Sequence, residues 1–183
     1  LDNISNPKLR QFYNIGNIDS GFGFDLVSVQ FAMHYFFKNS KMLNNFLNNV
    51  SKSLKSGGRF IGTCFDGKKV FEQLEKSNNI GIPKLWTIKK LYDENMFKDN
   101  ESSLGYEIEV FNESIGASIK EYLVNFDFLV AKAKEYNLEL IEINSFSTIF
   151  ESVNKKDYGS MKDMSDELKE YSFLNNAFVF EKK

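Results

Sequence analysis

The chain has 183 residues, a length typical of one domain, and 42% of them are hydrophobic while 26% are charged. Its net charge of −2 excludes a uniformly basic surface, so any RNA contact must come from a local patch or a pocket. A single cysteine, Cys64, excludes an internal disulfide and is typical of a reducing compartment. No apolar run approaches the roughly 20 residues that span a bilayer, and one histidine with one cysteine gives no metal-ligand cluster.

The first predicted elements are a strand and a helix. A nearly continuous apolar run at 24–30, extending into 31–35, predicts a central strand of a parallel sheet that is covered on both faces. A helix follows, which Ser40 could cap and which Gly57-Gly58 ends. Its apolar positions recur at helical spacing: Met42, Leu43, Phe46, Leu47, Val50 and Leu54.

The alternation continues with a buried strand at 59–65, a turn at Asp66-Gly67 and a short helix that contains Val70, Phe71 and Leu74. Strand, helix and strand in this order are typical of an open α/β sheet. The only candidate for a glycine-rich nucleotide loop is Gly21-Phe22-Gly23, which precedes a strand and is therefore interpreted as a plain turn.

The middle of the chain interrupts this alternation of strands and helices. Three segments that favour β residues predict an antiparallel insertion: 86–92, 106–111 and 118–124. Regular alternation then returns, with a helix at 125–136, a strand at 138–143, a polar surface loop within 154–169 that leads into a short helix, and a closing strand at 177–180. We expect a single domain over residues 1–183.

Four blocks in order resemble one known family. FDLVSVQFAMHY at 24–35 is similar to the strand and loop in which the mRNA cap guanine-N7 methyltransferases carry Gln-Phe-x-x-His-Tyr. LKSGGRFIGT at 54–63 resembles their L-x-P-G-G-x-F-I-G-T strand, and KEYLV at 120–124 resembles their x-E-[FY]-L-V block. Segment 177–182 is similar to their last strand, and CFDGK at 64–68 resembles the large-DNA-virus branch of capping enzymes.

The resemblance implies a Rossmann-like class I S-adenosylmethionine-dependent methyltransferase fold of α/β class, with an antiparallel β insertion. It implies methyl transfer from S-adenosylmethionine to N7 of a 5′-GpppN RNA cap. We expect the chain to be the C-terminal part of that domain, with the first strands and the glycine-rich loop missing from it. The expected partners are capped RNA, triphosphatase and guanylyltransferase modules in the same polypeptide, and a stimulatory subunit. The expected location is the host cytoplasm or the virion if the protein is viral, and otherwise the nucleus or cytoplasm.

The resemblance also implies site residues. His34, the single histidine, would contact the cap guanine, although a lone histidine beside aromatic residues is more often structural. Tyr35 would lie against both cap and cofactor, and Gln30 would contact S-adenosylmethionine through its position on the backbone. Phe31 is interpreted as a packing residue of the pocket wall. Asp2 is a candidate for the carboxylate that accepts from the adenine amine of the cofactor.

Glu121 matches the family's cap-reading glutamate. Guanine presents two donors on its Watson–Crick edge, and one carboxylate can accept both. Methylation at N7 adds positive charge to the ring, so a nearby carboxylate should also favour the transition state. N7 already has an available lone pair, so no residue is predicted to act as a general base. Where the family's closing strand offers a tyrosine to the cap, this chain has Asn175; either Tyr171 substitutes, or cap binding differs in detail.

Two other functions stay open from the sequence alone. The absence of a glycine-rich loop suggests a non-catalytic cap-binding or regulatory fragment of a capping enzyme. A small-molecule methyltransferase would share the sheet, but it would have no need for the insertion that carries Glu121.

Overall fold

The computed structural model describes residues 23–153 and 164–183. Eight strands lie in these two ranges: β1 (Phe24–Gln30), β2 (Leu54–Phe65), β3 (Asn79–Ile82), β4 (Trp86–Lys90), β5 (Glu107–Asn112), β6 (Ala117–Tyr122), β7 (Leu138–Ser145) and β8 (Asn175–Lys182). The α-helices there are α1 (Ser40–Ser53), α2 (Gly67–Leu74), α3 (Phe126–Lys134), α4 (Phe146–Ser152) and α5 (Asp166–Ser172). Short 3-10 helices occupy Met33–Lys38 and Glu101–Ser103. None of the described helices is long and apolar enough to cross a membrane.

The strands form two sheets. The first has the order β1-β2-β8-β7, in which β1 and β2 are parallel while β8 is antiparallel to both of its neighbours. The second has the order β3-β4-β5-β6 and is antiparallel throughout. The predicted antiparallel insertion is therefore confirmed. Its first strand, β3, was not predicted, because four residues that include Gly81 and precede Pro83 give a weak strand pattern.

The end of the first strand differs from the prediction. β1 stops at Gln30, and Phe31 adopts a φ of 50°, a left-handed backbone that ends extended pairing. The Phe31 N–H donates to the Thr63 carbonyl at 2.8 Å, and the chain then enters the 3-10 helix Met33–Lys38. Within the described residues β1 is also an edge strand with exposed Phe24 and Leu26, not a central strand covered on both faces.

Helix α1 begins and ends differently from the prediction. Asn39, not Ser40, is the N-cap, because the Asn39 side chain accepts the Met42 N–H at 3.0 Å. The helix ends at Ser53, before Gly57-Gly58, which lie inside β2. Gly57 has a φ of 75°, and the pairing of β1 with β2 shifts register in this region, so the two glycines form an irregularity in the strand.

Two apolar cores lie against the two sheets. The first joins the 3-10 helix, α1 and α3 to β2 and β8, around a fully buried cluster that contains Phe60, Phe178 and Phe180. The second joins α2 to the antiparallel sheet and includes Phe71 and Trp86. Burial of large aromatic side chains supplies most of the stabilisation in such cores. The two cores meet where β2 ends and α2 begins.

Candidate active site

A cavity of about 330 Å³ opens where the two sheets meet. It lies beyond the C-terminal ends of β1 and β2, which is where open α/β sheets bind ligands. The antiparallel hairpin β5–β6 and the end of α5 close its other sides. Its lining residues are Phe31, His34, Tyr35, Cys64, Phe65, Asn112, Ser114, Ile115, Ile119, Glu121, Tyr171 and Asn175.

His34 and Glu121 face each other in this cavity. The 3-10 helix that carries His34 packs against β6, which carries Glu121. The distance from His34 Nδ1 to Glu121 Oε2 is 3.4 Å. His34 is only 6% exposed, and its other nitrogen, Nε2, is buried without a hydrogen-bond partner among the described residues. A buried polar atom without a partner is uncommon in native proteins, so Nε2 marks a position where a ligand atom would be accommodated.

Burial controls the charge of this pair. It raises the pKa of Glu121 to about 7 and lowers the pKa of His34 to about 4. Ion pairing would shift both pKa values in the opposite directions, but at 3.4 Å the attraction is too weak to offset the loss of water around both groups. The imidazole is therefore neutral near pH 7, while the carboxyl group can hold or release a proton. Burial also raises the pKa of the neighbouring Cys64 thiol, which stays protonated.

Aromatic side chains form the rest of the wall. Tyr35 is 43% exposed, and its ring lies edge-on to His34 at a centroid distance of 4.1 Å. Phe31 is 55% exposed and contacts Phe146 edge-on at 6.2 Å. No lysine or arginine belongs to the lining within the described part of the chain, and these residues hold no cluster of metal ligands. Flat rings around a neutral imidazole and a carboxyl group suit a planar, polar, aromatic ligand.

Comparison with known proteins decides the family. Residues 6–178 match the sequence model of the mRNA (guanine-N7)-methyltransferase domain. The chain belongs to the mRNA cap guanine-N7 methyltransferase family. It is 30% identical over 192 residues to a probable mRNA-capping enzyme of Acanthamoeba polyphaga mimivirus, covering 95% of this chain and 16% of that protein. It is 31% identical over 181 residues to the mRNA cap guanine-N7 methyltransferase of Schizosaccharomyces pombe, covering 87% of this chain and 48% of that protein.

The chain thus spans about half the length, or less, of the curated family members it matches. Solved structures confirm the predicted fold. An S-adenosylmethionine-dependent methyltransferase from Clostridium acetobutylicum superposes with a TM-score of 0.50 at 16% identity, covering 92% of this chain and 62% of that one. The CcbJ methyltransferase from Streptomyces caelestis gives 0.52 at 15% identity, covering 88% and 61%. The fold is therefore that of the Rossmann-like class I methyltransferases, and the antiparallel second sheet is its insertion.

The structure brings the four predicted cap residues of this family member together. His34, Tyr35, Glu121 and Asn175 all line the same cavity, although they come from separate parts of the chain. His34 lies on the 3-10 helix and not at the end of a strand, so the position predicted for it was wrong in that detail. Their roles toward the cap stay predictions.

Other predicted positions lie differently. Gln30 does not line the cavity: its side chain accepts from Thr63 Oγ1 at 2.8 Å and donates to Ser28 Oγ at 2.9 Å. Asn175 lines the cavity, but its Nδ2 donates to the carbonyls of Tyr171 and Ser172. Asp2 lies outside the described residues.

Sequence reasoning missed half of the lining. Ile119 could have been found, because it precedes Glu121 by two positions on the same strand and therefore shares its face. Cys64 and Phe65 end β2 beside the end of β1, which is also the expected edge. Asn112, Ser114 and Ile115 carry no such signal, because their place depends on how the hairpin folds over the first sheet.

Proposed function

We propose that this chain binds the guanine of a 5′-GpppN RNA cap and supports its methylation at N7 with S-adenosylmethionine as methyl donor. The observation that carries the proposal is the buried contact between His34 and Glu121 inside an aromatic cavity, in a chain of this family. The curated relatives are named methyltransferases or capping enzymes, so a non-catalytic cap-binding fragment is the less favoured alternative.

The cavity can distinguish guanine from adenine by the hydrogen-bonding edge of the base. The ionised Glu121 carboxylate accepts from the N1–H and the exocyclic amine, and such charge-assisted bonds are stronger than neutral ones. Because His34 Nδ1 faces this carboxylate, Nε2 is the ring nitrogen that is left to form a hydrogen bond with the base. Adenine lacks the N1–H donor, so it would leave the buried carboxylate without one of its two bonds, and that loss supplies specificity.

The residues beside the cavity also fit the reacting end of the cofactor. S-adenosylmethionine, when bound, supplies a methyl group on a sulfonium, and its transfer to N7 forms the N–C bond and breaks the C–S bond. The exposed aromatic rings of Phe31 and Tyr35 suit a neighbouring cation of this kind. The carboxylate predicted to hold the adenine, Asp2, lies outside the described residues.

The part of this chain in the reaction is positioning and electrostatics. His34 and Glu121 would orient the base, and the surrounding rings would restrict its tilt, so that N7 is held ready for the methyl group that bound S-adenosylmethionine would supply. The purine gains positive charge as N7 is methylated, and an ionised Glu121 favours that change. No proton has to be removed from N7, because its lone pair is available as the nucleophile.

Capped RNA is the substrate that this proposal implies. The resemblance to the capping enzyme of a large DNA virus supports an origin in a multifunctional polypeptide with triphosphatase and guanylyltransferase modules. A stimulatory subunit, and a location in host cytoplasm or virion, belong to the same proposal.

The test is methylation of GpppRNA by the full-length protein with labelled S-adenosylmethionine. His34→Ala and Glu121→Ala should each lower kcat/KM by roughly 10- to 100-fold, the effect of removing a hydrogen bond to a charged group. The matched control is Glu109→Ala. Glu109 pairs in register with Lys120 on the neighbouring strand, so it lies on the opposite face of the sheet from Glu121.

Wild-type kcat/KM in both site variants would show that the site is assigned to the wrong residues. Binding of GpppG without methylation would favour the cap-binding fragment. Faster methylation of small acceptors than of GpppRNA would favour the small-molecule methyltransferase.

A further inference from the structure

The ends of β1 and β2 are joined by two hydrogen bonds that converge on Thr63. The Thr63 hydroxyl donates to Gln30 Oε1 at 2.8 Å, and the Thr63 carbonyl accepts the Phe31 N–H at 2.8 Å. Gln30 and Thr63 are partners in the parallel register of the two strands, so their side chains lie on one face of the sheet. Thr63 therefore holds the last residue of β1 with its side chain and the first residue beyond β1 with its main chain.

The Gln30 amide is engaged through both its oxygen and its nitrogen. Its Oε1 accepts from Thr63, and its Nε2 donates to Ser28 Oγ at 2.9 Å. Ser28 lies on the same face of β1, because alternate residues of a strand point to the same side. The side chains of Ser28, Gln30 and Thr63 thus form a connected unit across the strand ends, which we call the strand-end clamp. These three residues lie outside the cavity lining.

The clamp adjoins a strained turn. Phe31 has a φ of 50°, in a region that bulky side chains rarely adopt. Two other non-glycine residues of the described chain have a positive φ, Lys84 and Asn137, and neither of them lines the cavity, whereas Phe31 does. Strained residues persist only where the surrounding contacts hold them, and they cluster at functional sites. The hydrogen bonds of Thr63 are the contacts that hold this one from the side of the sheet.

The turn connects the sheet to the element that carries His34. Within two residues of Phe31 the chain enters the 3-10 helix Met33–Lys38. Met33 and Phe37 are fully buried and fix the side of this helix that faces the first core. Its first turn, which carries His34, is tied to the sheet through Phe31. A shift of this end would change the distance of 3.4 Å between the imidazole and the carboxyl group that it faces.

On the basis of the proposed function, we propose that Gln30 and Thr63 are positioning residues for cap binding, which act through the turn at Phe31 on the placement of His34. The Gln30 side chain thereby has a role separate from the cofactor contact expected of its backbone. Ser28 belongs to the same clamp, because it holds the nitrogen of the Gln30 amide. A site whose parts are held in place before the ligand arrives loses less freedom on binding.

The first test separates the hydroxyl of Thr63 from its shape, with the Kd of the full-length protein for GpppG measured by calorimetry. Thr63→Val keeps the branched side chain and removes the donor, so binding should weaken about three- to tenfold, the effect of losing one hydrogen bond. Thr63→Ser keeps the hydroxyl, and its Kd should stay within about twofold of wild type. Thr87→Val is the matched control and should bind like wild type, because Thr87 is a half-buried threonine of β4 outside the cavity lining.

The second test asks whether the clamp acts as one unit and through His34. Gln30→Leu should weaken GpppG binding by a factor similar to that of Thr63→Val, and the double variant should lose no more than either single variant, because the same hydrogen bond is missing in all three. In the His34→Ala background, Thr63→Val should have no further effect on the Kd. A purely structural role would lower the Tm of these variants but leave the effects of Thr63→Val and His34→Ala additive. All titrations are made at a temperature at which every variant is folded.

Three results would overturn the proposal: wild-type affinity in Thr63→Val, an equal loss in Thr63→Ser and Thr63→Val, or additive effects of Thr63→Val and His34→Ala. These failures are distinct from failure of the proposed function. A wild-type protein that binds GpppG without methylating RNA leaves the Thr63 tests intact, whereas one that does not bind GpppG overturns both proposals.

Discussion

Affinity for the cap should depend on pH through Glu121. The carboxylate must be ionised to accept two donors from guanine, and burial raises its pKa to about 7 in the empty cavity. Below that pKa, binding must be accompanied by loss of a proton, so affinity should fall tenfold per pH unit. Between pH 8.5 and pH 5.5 the Kd for GpppG should therefore rise about 30-fold, with the bend near pH 7.

The assay is calorimetric titration of the full-length protein with unmethylated GpppG across this pH range. Glu121→Gln removes the titrating group, so its Kd should be flat with pH and weaker than wild type by roughly tenfold or more at pH 8.5. Glu107→Gln is the control, because the ion pair with Lys120 keeps the pKa of Glu107 below its usual range. A wild-type profile that is as flat as that of Glu121→Gln would refute the reasoning.

Two further predictions concern stability. The folded-state pKa of Glu121 lies above the ordinary value of 4.5 for a glutamate. The favourable contribution of this group to folding stability is therefore fully present below about pH 4.5 and is lost as pH rises through about 7. The unfolding free energy of Glu121→Gln, relative to that of wild type, should accordingly rise by about 2 to 3 kcal/mol between pH 5 and pH 8 in urea titrations. If the difference between the two proteins does not change with pH, that result would contradict the burial of this charge. In thermal or urea unfolding, Asn39→Ala should cost about 1 kcal/mol, whereas Ser40→Ala should cost no more than a few tenths. The reverse order would mean that Ser40 is the cap.

Local patterns were sufficient for most of the fold. The apolar run of β1, the periodicity of α1 and the strand of β2 each identify their element, because burial on one or both faces fixes the pattern. Element ends were less predictable. Asn39 and Ser40 are both good caps, and only the path of the chain decides which side chain reaches the Met42 N–H. The left-handed backbone at Phe31 could not be predicted, because the residue there is not a glycine.

The site was predictable only in part, for a related reason. His34 and Glu121 were identified by blocks that resemble the family, and the structure places them in contact. The residues contributed by the hairpin turn and by α5 depend on the packing of the antiparallel sheet against the first one. No periodicity within Asn112–Gly116 contains that information. Asn175 lines the cavity as expected, and its Nδ2 also holds the end of α5, which no sequence pattern indicated; its contact with the cap stays a prediction.

The cavity lies at the seam between the two cores, and its geometry therefore depends on the contacts that join them. Asp66 caps α2 at the end of β2, accepts from Asn176 Nδ2 at 3.0 Å and donates its N–H to the Leu174 carbonyl at 2.7 Å. The next residue, Gly67, donates to the Val124 carbonyl, and a Cβ at this position would lie 2.4 Å from that oxygen. These contacts fix the ends of β2, β6 and β8 relative to one another, immediately beside Phe65, Glu121 and Asn175. The positions of these cavity-lining side chains thus depend on the contacts of this junction. The burial that raises the pKa of Glu121 makes its ionised form costly, and the proposed function uses that carboxylate to recognise guanine.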